Sequence, residues 1–421
     1  MRRFAILAIA LALQTGPAVA QLGGLGLPQV QLPSLPSAGQ SVSRTVEGVE
    51  ATVRDLPQTT NAQIRSLLRL HRDLIDRDPQ GFPIVRGEVL AIAPNAAALS
   101  AARAIGFAIE RTDTIDGVGD LVTLRAPDGL GASAALQRLR RADPQGVYDL
   151  DHIHLLAGMG AVAPAQPAGA ALVRGARIGL IDGGVGAHPS LAGVVAEQRP
   201  FSSASIVTTA HATAIASLLA GHGAGVEGAA PGAQIYVADI YGGQPTGGSA
   251  AALVRALSWL ASGGVPVINV SLVGPRNRIV EAIVERLVAR GFVIVAAVGN
   301  DGPAAPPLFP ASYAGVVGVT GVDLNRRVLI EAAQGPQVEF AAPGMPVAAS
   351  GSGVARVRGT SYAAPIVAGL LATRMAAADP VQAETAIASL RNEARDLGAH
   401  GRDNVYGYGL VGANFLLTSA R

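Results

Sequence analysis

The chain has 421 residues, 49% of them apolar and 15% charged, and its 32 basic and 30 acidic side chains leave a formal net charge of +2. It is too apolar for a disordered chain, too evenly charged to argue for nucleic acid, and long enough for two or three domains. Cysteine and lysine are both absent, which removes disulfide scaffolds, thiolate zinc sites, iron–sulfur clusters, cysteine nucleophiles, P-loops, Schiff-base enzymes and Ser–Lys hydrolases.

Residues 1–20 read as an address. Met1-Arg2-Arg3 is a charged start, Phe4 to Leu13 is an unbroken apolar run, and Ala18-Val19-Ala20 has the small-x-small pattern of a cleavage site. This is the layout of a secretory signal peptide, with an apolar part too short to span a bilayer. No later segment is long and apolar enough to span one. The expectation is an exported protein, secreted or periplasmic, with no membrane attachment once the signal is removed.

Residues 21–82 begin with a Gly/Pro/Leu/Ser-rich spacer, Gln21 to Gln40. Ile64, Leu67, Leu68, His71, Leu74 and Ile75 then fall at helical spacing, with Asn61 as N-cap and Pro79 as stop, which predicts one packing helix. Residues 83–156 have a different rhythm. Val89–Ile92, Phe107–Thr112, Leu121–Leu124 and Val147–Leu155 read as strands, and Ala96–Ile105 and Ala132–Arg141 as helices. The order β-α-β-β-α-β is that of a small α+β ferredoxin-like module, and it carries no obvious catalytic group. His152 and His154 share a strand face; without a third ligand at matching spacing they read as surface histidines.

Residues 157–171 include the small-residue linker Gly158 to Ala170. From residue 172 to 421, apolar strands alternate with helices. Ala176–Ile181, Gln234–Ile240, Val265–Val270 and Phe292–Val298 lack strict alternation, as expected of strands buried on both faces. Thr213–Leu219, Ala250–Ala261 and Arg278–Arg290 are the helices between them. The pattern predicts an α/β fold with a doubly wound parallel sheet.

Such sheets place their chemistry at the C-terminal ends of the strands. Asp182 ends the strand Ile178–Ile181. His211 opens an apolar helix. Ser361, in Gly359-Thr360-Ser361-Tyr362-Ala363-Ala364-Pro365, opens another, where a helix N-terminus favours developing negative charge. Asn300 follows the most apolar strand and carries an amide that can donate to an oxyanion.

Asp, His and Ser in that order, with an Asn donor, resemble the subtilisin-like serine proteases, the subtilases, and the likeness runs from about Ala171 to Ala413. Gly228-Ala229-Ala230-Pro231-Gly232-Ala233, Ile268-Asn269-Val270-Ser271-Leu272, Phe309-Pro310-Ala311-Ser312-Tyr313, Ala342-Pro343-Gly344 and Gly407-Tyr408-Gly409 are similar to stretches of that family. The resemblance implies a serine endopeptidase in which Asp182 orients His211, His211 activates Ser361, and Asn300 stabilises the oxyanion. It implies that substrate lies beside Ser271, Leu272, Val273 and Gly274, and that Ala296, Ala297, Val298 and Gly299 line a pocket for an apolar or small side chain.

The module ahead resembles the family's propeptide, so the expected partners are protein or peptide substrates and the chain's own propeptide, an intramolecular inhibitor cut away somewhere between His154 and Arg174. No cofactor is expected; calcium is common in the family, but no acidic loop identifies a site. The expected state is a monomer. Four positions depart from the family's habit: Gly183 after the Asp, Ala212 after the His, Tyr362 after the Ser, and Val273, which should narrow the cleft.

Two other functions compete with this reading. A secreted binding protein with a degenerate protease fold is opposed by the intact triad. An esterase of the α/β-hydrolase type needs another residue order and a G-x-S-x-G elbow, which Gly359-Thr360-Ser361-Tyr362-Ala363 lacks. Gly223 to Gly228 matches G-x-G-x-x-G but follows a predicted helix, so it is no dinucleotide fingerprint. His188 reads as a turn residue, and Asn269-Val270-Ser271 is a glycosylation sequon in form only.

Overall fold

Seven parallel strands carry the larger part of the chain. The structure, a computed structural model, describes residues 60–157, 159–163, 172 and 175–416, so the signal-like segment and the spacer lie outside the described residues.

In chain order the elements are α1 (Thr60–Leu70), β1 (Ile75–Arg77), β2 (Pro83–Ile92), α2 (Ala96–Ala104), β3 (Ala108–Ile115), β4 (Gly119–Arg125), α3 (Ala132–Ala142), β5 (Val147–His152), β6 (Leu155–Leu156) and β7 (Met159–Ala163). There follow β8 (Arg177–Asp182), β9 (Gly184–Val185), β10 (Val195–Pro200), β11 (Thr208–Thr209), α4 (Ala210–Ala220), β12 (Gln234–Asp239), α5 (Ala250–Ser262), β13 (Val267–Val270), β14 (Leu272–Val273) and α6 (Arg278–Ala289). The last are β15 (Val293–Ala297), β16 (Val317–Val322), β17 (Val338–Pro343), β18 (Val347–Ser350), β19 (Gly353–Arg358), α7 (Thr360–Ala372) and α8 (Pro380–Glu393).

The main sheet has the order β10-β12-β8-β13-β15-β16-β17. Successive residues of its strands enter opposite cores. In β15, Val293, Val295 and Ala297 join the cluster under α4 and α7, while Ile294 and Ala296 join the one under α5 and α6. This is why the strands read as apolar runs: both faces are covered. Burying each Val, Leu or Ile contributes about 1.5–3 kcal/mol against the entropy of ordering the chain. The chain leaves β8 for β12 on one side and returns to β13 on the other, so the sheet's switch point lies at the end of β8, where Asp182 sits.

The smaller sheet runs β3-β4-β2, with β5 on the far side of β2. Its two helices are α2, capped by Asn95 accepting from Ala98 N at 2.8 Å, and α3. They cover one face through Ala102, Ala135, Leu136 and Leu139. The opposite face, with Leu90, Ile92, Ile115 and Leu121, packs into the same cluster as α5 and α6. Two carboxylates seal this contact. Asp149 accepts from Arg278 N at 2.7 Å, at the start of α6, and Asp151 accepts from Ala251 N at 3.0 Å, at the start of α5. Helix N-termini hold unpaired N–H groups, so each contact satisfies a donor and opposes a partial positive charge.

Three local expectations change. The predicted helical face from Ile64 to Ile75 is split: α1 ends at Leu70, and Ile75 lies in β1, paired with Val85 of β2. Periodicity cannot see that pairing. The strand expected over Val147–Leu155 breaks after His152, and Leu155–Leu156 joins a different sheet. His152 and His154 are not surface residues; both are buried. His152 Nε2 lies 3.2 Å from Asp78 Oδ2 and its Nδ1 2.9 Å from Asn277 Nδ2.

Candidate active site

Asp182, His211 and Ser361 come from three elements and meet at one edge of the main sheet. Asp182 ends β8, and its Oδ1 accepts from Gly183 N at 2.7 Å. Its Oδ2 lies 2.8 Å from His211 Nδ1, and His211 Nε2 lies 3.1 Å from Ser361 Oγ. His211 is in the first turn of α4, capped by Thr209, whose hydroxyl accepts from Ala212 N at 3.1 Å. That Thr side chain also explains Gly183: a Cβ there would meet Thr209 Cγ2 at 2.5 Å. Ser361 is the second residue of α7, entered through Gly359 at φ +138°, a backbone region that favours glycine. Tyr362 packs its ring 5.3 Å from that of His211, and burial, with Asp182 nearby, pushes its phenol pKa up.

Asn300 stands across from Ser361. Its Oδ1 accepts from Thr360 N at 3.1 Å, which turns the Nδ2 group toward the site. Ser271 Oγ accepts from Asn269 Nδ2 and donates to Ser361 O, both at 2.9 Å, and so braces the start of α7.

The segment from Ile153 to Ala157 fills the cleft. Leu155 and Leu156 pair antiparallel with Val273 and Leu272, and Ala157 N donates to Ser271 O at 3.2 Å. The Ala157 carbonyl oxygen accepts from Ser361 N at 3.3 Å and from Asn300 Nδ2. It therefore sits where an oxyanion would be held. His154 is fully buried beside Gly274, where a Cβ would come 2.5 Å from the His154 ring. Burial, with His152 nearby, lowers the His154 pKa to about 4, so the imidazole is neutral at ordinary pH. Beyond Ala157, β7 pairs antiparallel with β19.

All four expected cleft residues, Ser271 to Gly274, thus touch or flank residues 154–157. Of the expected pocket residues, Ala297 shares an apolar cluster with Ala157, while the side chains of Ala296 and Val298 belong to the opposite face of the sheet. Gly299 N donates to Thr360 Oγ1 at 3.3 Å. Sequence reasoning missed Thr360, Asp149, Asp151 and Leu308. The two carboxylates carried a faint signal, Asp-x-Asp on an otherwise apolar strand. Among the described residues no group of three or more His, Asp or Glu is gathered to hold a metal ion.

Comparison with known proteins identifies the family. Residues 174–409 match the family model described as the subtilase family. The chain is 32% identical over 248 residues to Subtilisin Savinase of Lederbergia lenta, covering 57% of this chain and 89% of that protein. It is also 32% identical over 246 residues to the minor extracellular protease Epr of Bacillus subtilis (strain 168), but spans only 37% of that longer protein. Among solved structures, fervidolysin from Fervidobacterium pennivorans, described as a keratinolytic enzyme related to subtilisin, has a TM-score of 0.66 at 20% identity, over 80% of this chain and 61% of that one. That last likeness shows the fold alone. The family match covers more than half of the chain, and the chain belongs to the subtilases, the subtilisin-like serine proteases.

Proposed function

We propose that the protein is a secreted serine endopeptidase, made as a precursor that cuts itself once between Ala157 and Gly158. The observation that carries this reading is the Ala157 carbonyl, which accepts from both Ser361 N and Asn300 Nδ2 while its own N–H is held by Ser271 O. A peptide held this way presents one bond to the serine and no other. Export rests on the sequence of residues 1–20.

In the proposed reaction His211 Nε2 takes the proton from Ser361 Oγ as that oxygen attacks the carbonyl carbon. Asp182 holds the Nδ1 proton and stabilises the imidazolium. The oxyanion gains the two donors, whose strength grows as charge develops on the oxygen. His211 then protonates the leaving amine, and water releases the acyl group by the reverse proton path. The module of residues 83–156 acts as inhibitor before and after the cut because its last residues occupy the cleft.

The test is N-terminal sequencing of protein made in a protease-deficient host, with fluorophosphonate labelling. Wild type should begin at Gly158 and label at one serine; Ser361→Ala should stay uncut between Ala157 and Gly158 and not label. Trimming of Ser361→Ala at the same bond would show that another enzyme does the cutting. Wild type that neither cuts nor labels would leave a binding protein on a protease fold.

A further inference from the structure

We propose that Leu308, together with Val273, closes the floor of the pocket that receives the residue before the cut, so that the protease selects alanine there. The proposal rests on the endopeptidase reading above and names the substrate class of that same site.

With the Ala157 carbonyl fixed between Asn300 and Ser361, the methyl group of Ala157 is the side chain that enters the adjoining pocket. Ala157 is 3% exposed and belongs to one apolar cluster with Val273, Ala297 and Leu308. Leu308 is itself 2% exposed. Its position is fixed by its neighbour: Gly274 and Phe309 exchange both backbone bonds, at 2.8 and 2.9 Å, which draws residue 308 alongside the strand that carries Val273.

Gly299, next to the oxyanion donor, reports how full the space is. A Cβ added there would come within 2.7 Å of Leu308 Cδ1 and 3.5 Å of Val273 Cγ1. Two branched side chains therefore fill the volume between β14 and the segment leading to Asn300. A phenylalanine or leucine in place of Ala157 would need that volume. Forcing extra atoms into a packed site typically costs about 1–3 kcal/mol, which is roughly a 5- to 150-fold loss. The side chains that meet at Gly299 are those of Leu308 and Val273, both apolar, so size decides the choice.

The chain's own residues 154–159, His-Leu-Leu-Ala-Gly-Met, supply the probe. A peptide series with this sequence, varied only at the Ala157 position to Gly, Val, Leu and Phe, is assayed for kcat/KM with the processed enzyme, active sites being counted by fluorophosphonate. Wild type should favour Ala over Phe by about 100-fold. Leu308→Ala and Val273→Gly should each lower that ratio at least about tenfold, with the gain appearing on the Leu and Phe peptides. Two variants are used because Leu308 is a core residue and its truncation can impair folding; active-site counting excludes misfolded protein from the ratio.

Wild type that cuts after Phe as readily as after Ala overturns the proposal, as do labelled variants whose ratio matches wild type. If wild type neither labels nor cuts any peptide, the endopeptidase reading has failed first and this inference goes with it.

Discussion

The contact between the N-terminal module and the protease part contains a carboxyl pair, and it gives the full-length chain a definite pH response. Glu88 on β2 and Asp151 on β5 are hydrogen-bonded to each other, and Asp151 also accepts from Ala251 N at 3.0 Å. The charged groups around them are Arg125 of β4, 2.9 Å from Glu88, together with Glu110 of β3 and Arg255 of α5. Burial, and then the neighbouring Asp151 carboxylate, raises the Glu88 pKa to about 8 from 4.5. Burial raises that of Asp151 as well. The folded chain therefore holds a proton that the unfolded chain loses above pH 4.5. That contribution to stability is fully present below about pH 4.5 and is gone once the pH has risen through 8.

One proton bears on stability by at most about 1.4 kcal/mol per pH unit, or ~2 °C in Tm for a chain of this size. The measurement is thermal unfolding of the full-length Ser361→Ala protein at pH 5, 6, 7 and 8, with and without Glu88→Gln. Glutamine keeps a donor facing Asp151 and has no proton to lose. The parent should lose stability steadily as pH rises, and Glu88→Gln should flatten that fall. Parallel curves for the two proteins would refute the reasoning.

Two further outcomes follow from the contacts described. Asn300→Ala should lower kcat about 10²–10³-fold, the scale known for the corresponding amide of a subtilisin, with KM little changed; steady-state kinetics on a peptide substrate check it. Asp149→Ala removes the acceptor for Arg278 N and should weaken the hold of the processed module by about 1–2 kcal/mol, read as a five- to thirtyfold higher inhibition constant.

The fold class was legible because both faces of the main sheet are buried, and that burial writes itself into β8, β13 and β15 as continuous Val, Ile, Leu and Ala. The triad was legible because Asp182, His211 and Ser361 each follow or open such an element, and the subtilase resemblance gave them an order. What could not be read depended on pairing across long stretches of sequence. Ile75 lies in phase with α1 but takes its partner from β2. His152 and His154 look like an exposed pair until α5, α6 and the cleft close over them. Leu308 is one apolar residue in a Pro-rich loop, and only its approach to Gly299 distinguishes it from any other.

Under the proposed self-cleavage, the two strands that flank Ala157 would also make inhibition depend on concentration. β6 lies on β14 before the proposed cut, and β7 lies on β19 after it. While the chain is continuous, the inhibitory segment is tethered, and its effective concentration at the cleft is set by the connection, on the order of millimolar, however dilute the protein is. A cut removes the tether without removing any of these contacts. The same interface then becomes an ordinary bimolecular equilibrium, retained where the protein is concentrated and lost on dilution. Dispersal after export would then be a signal in itself, with no second enzyme required to start the release.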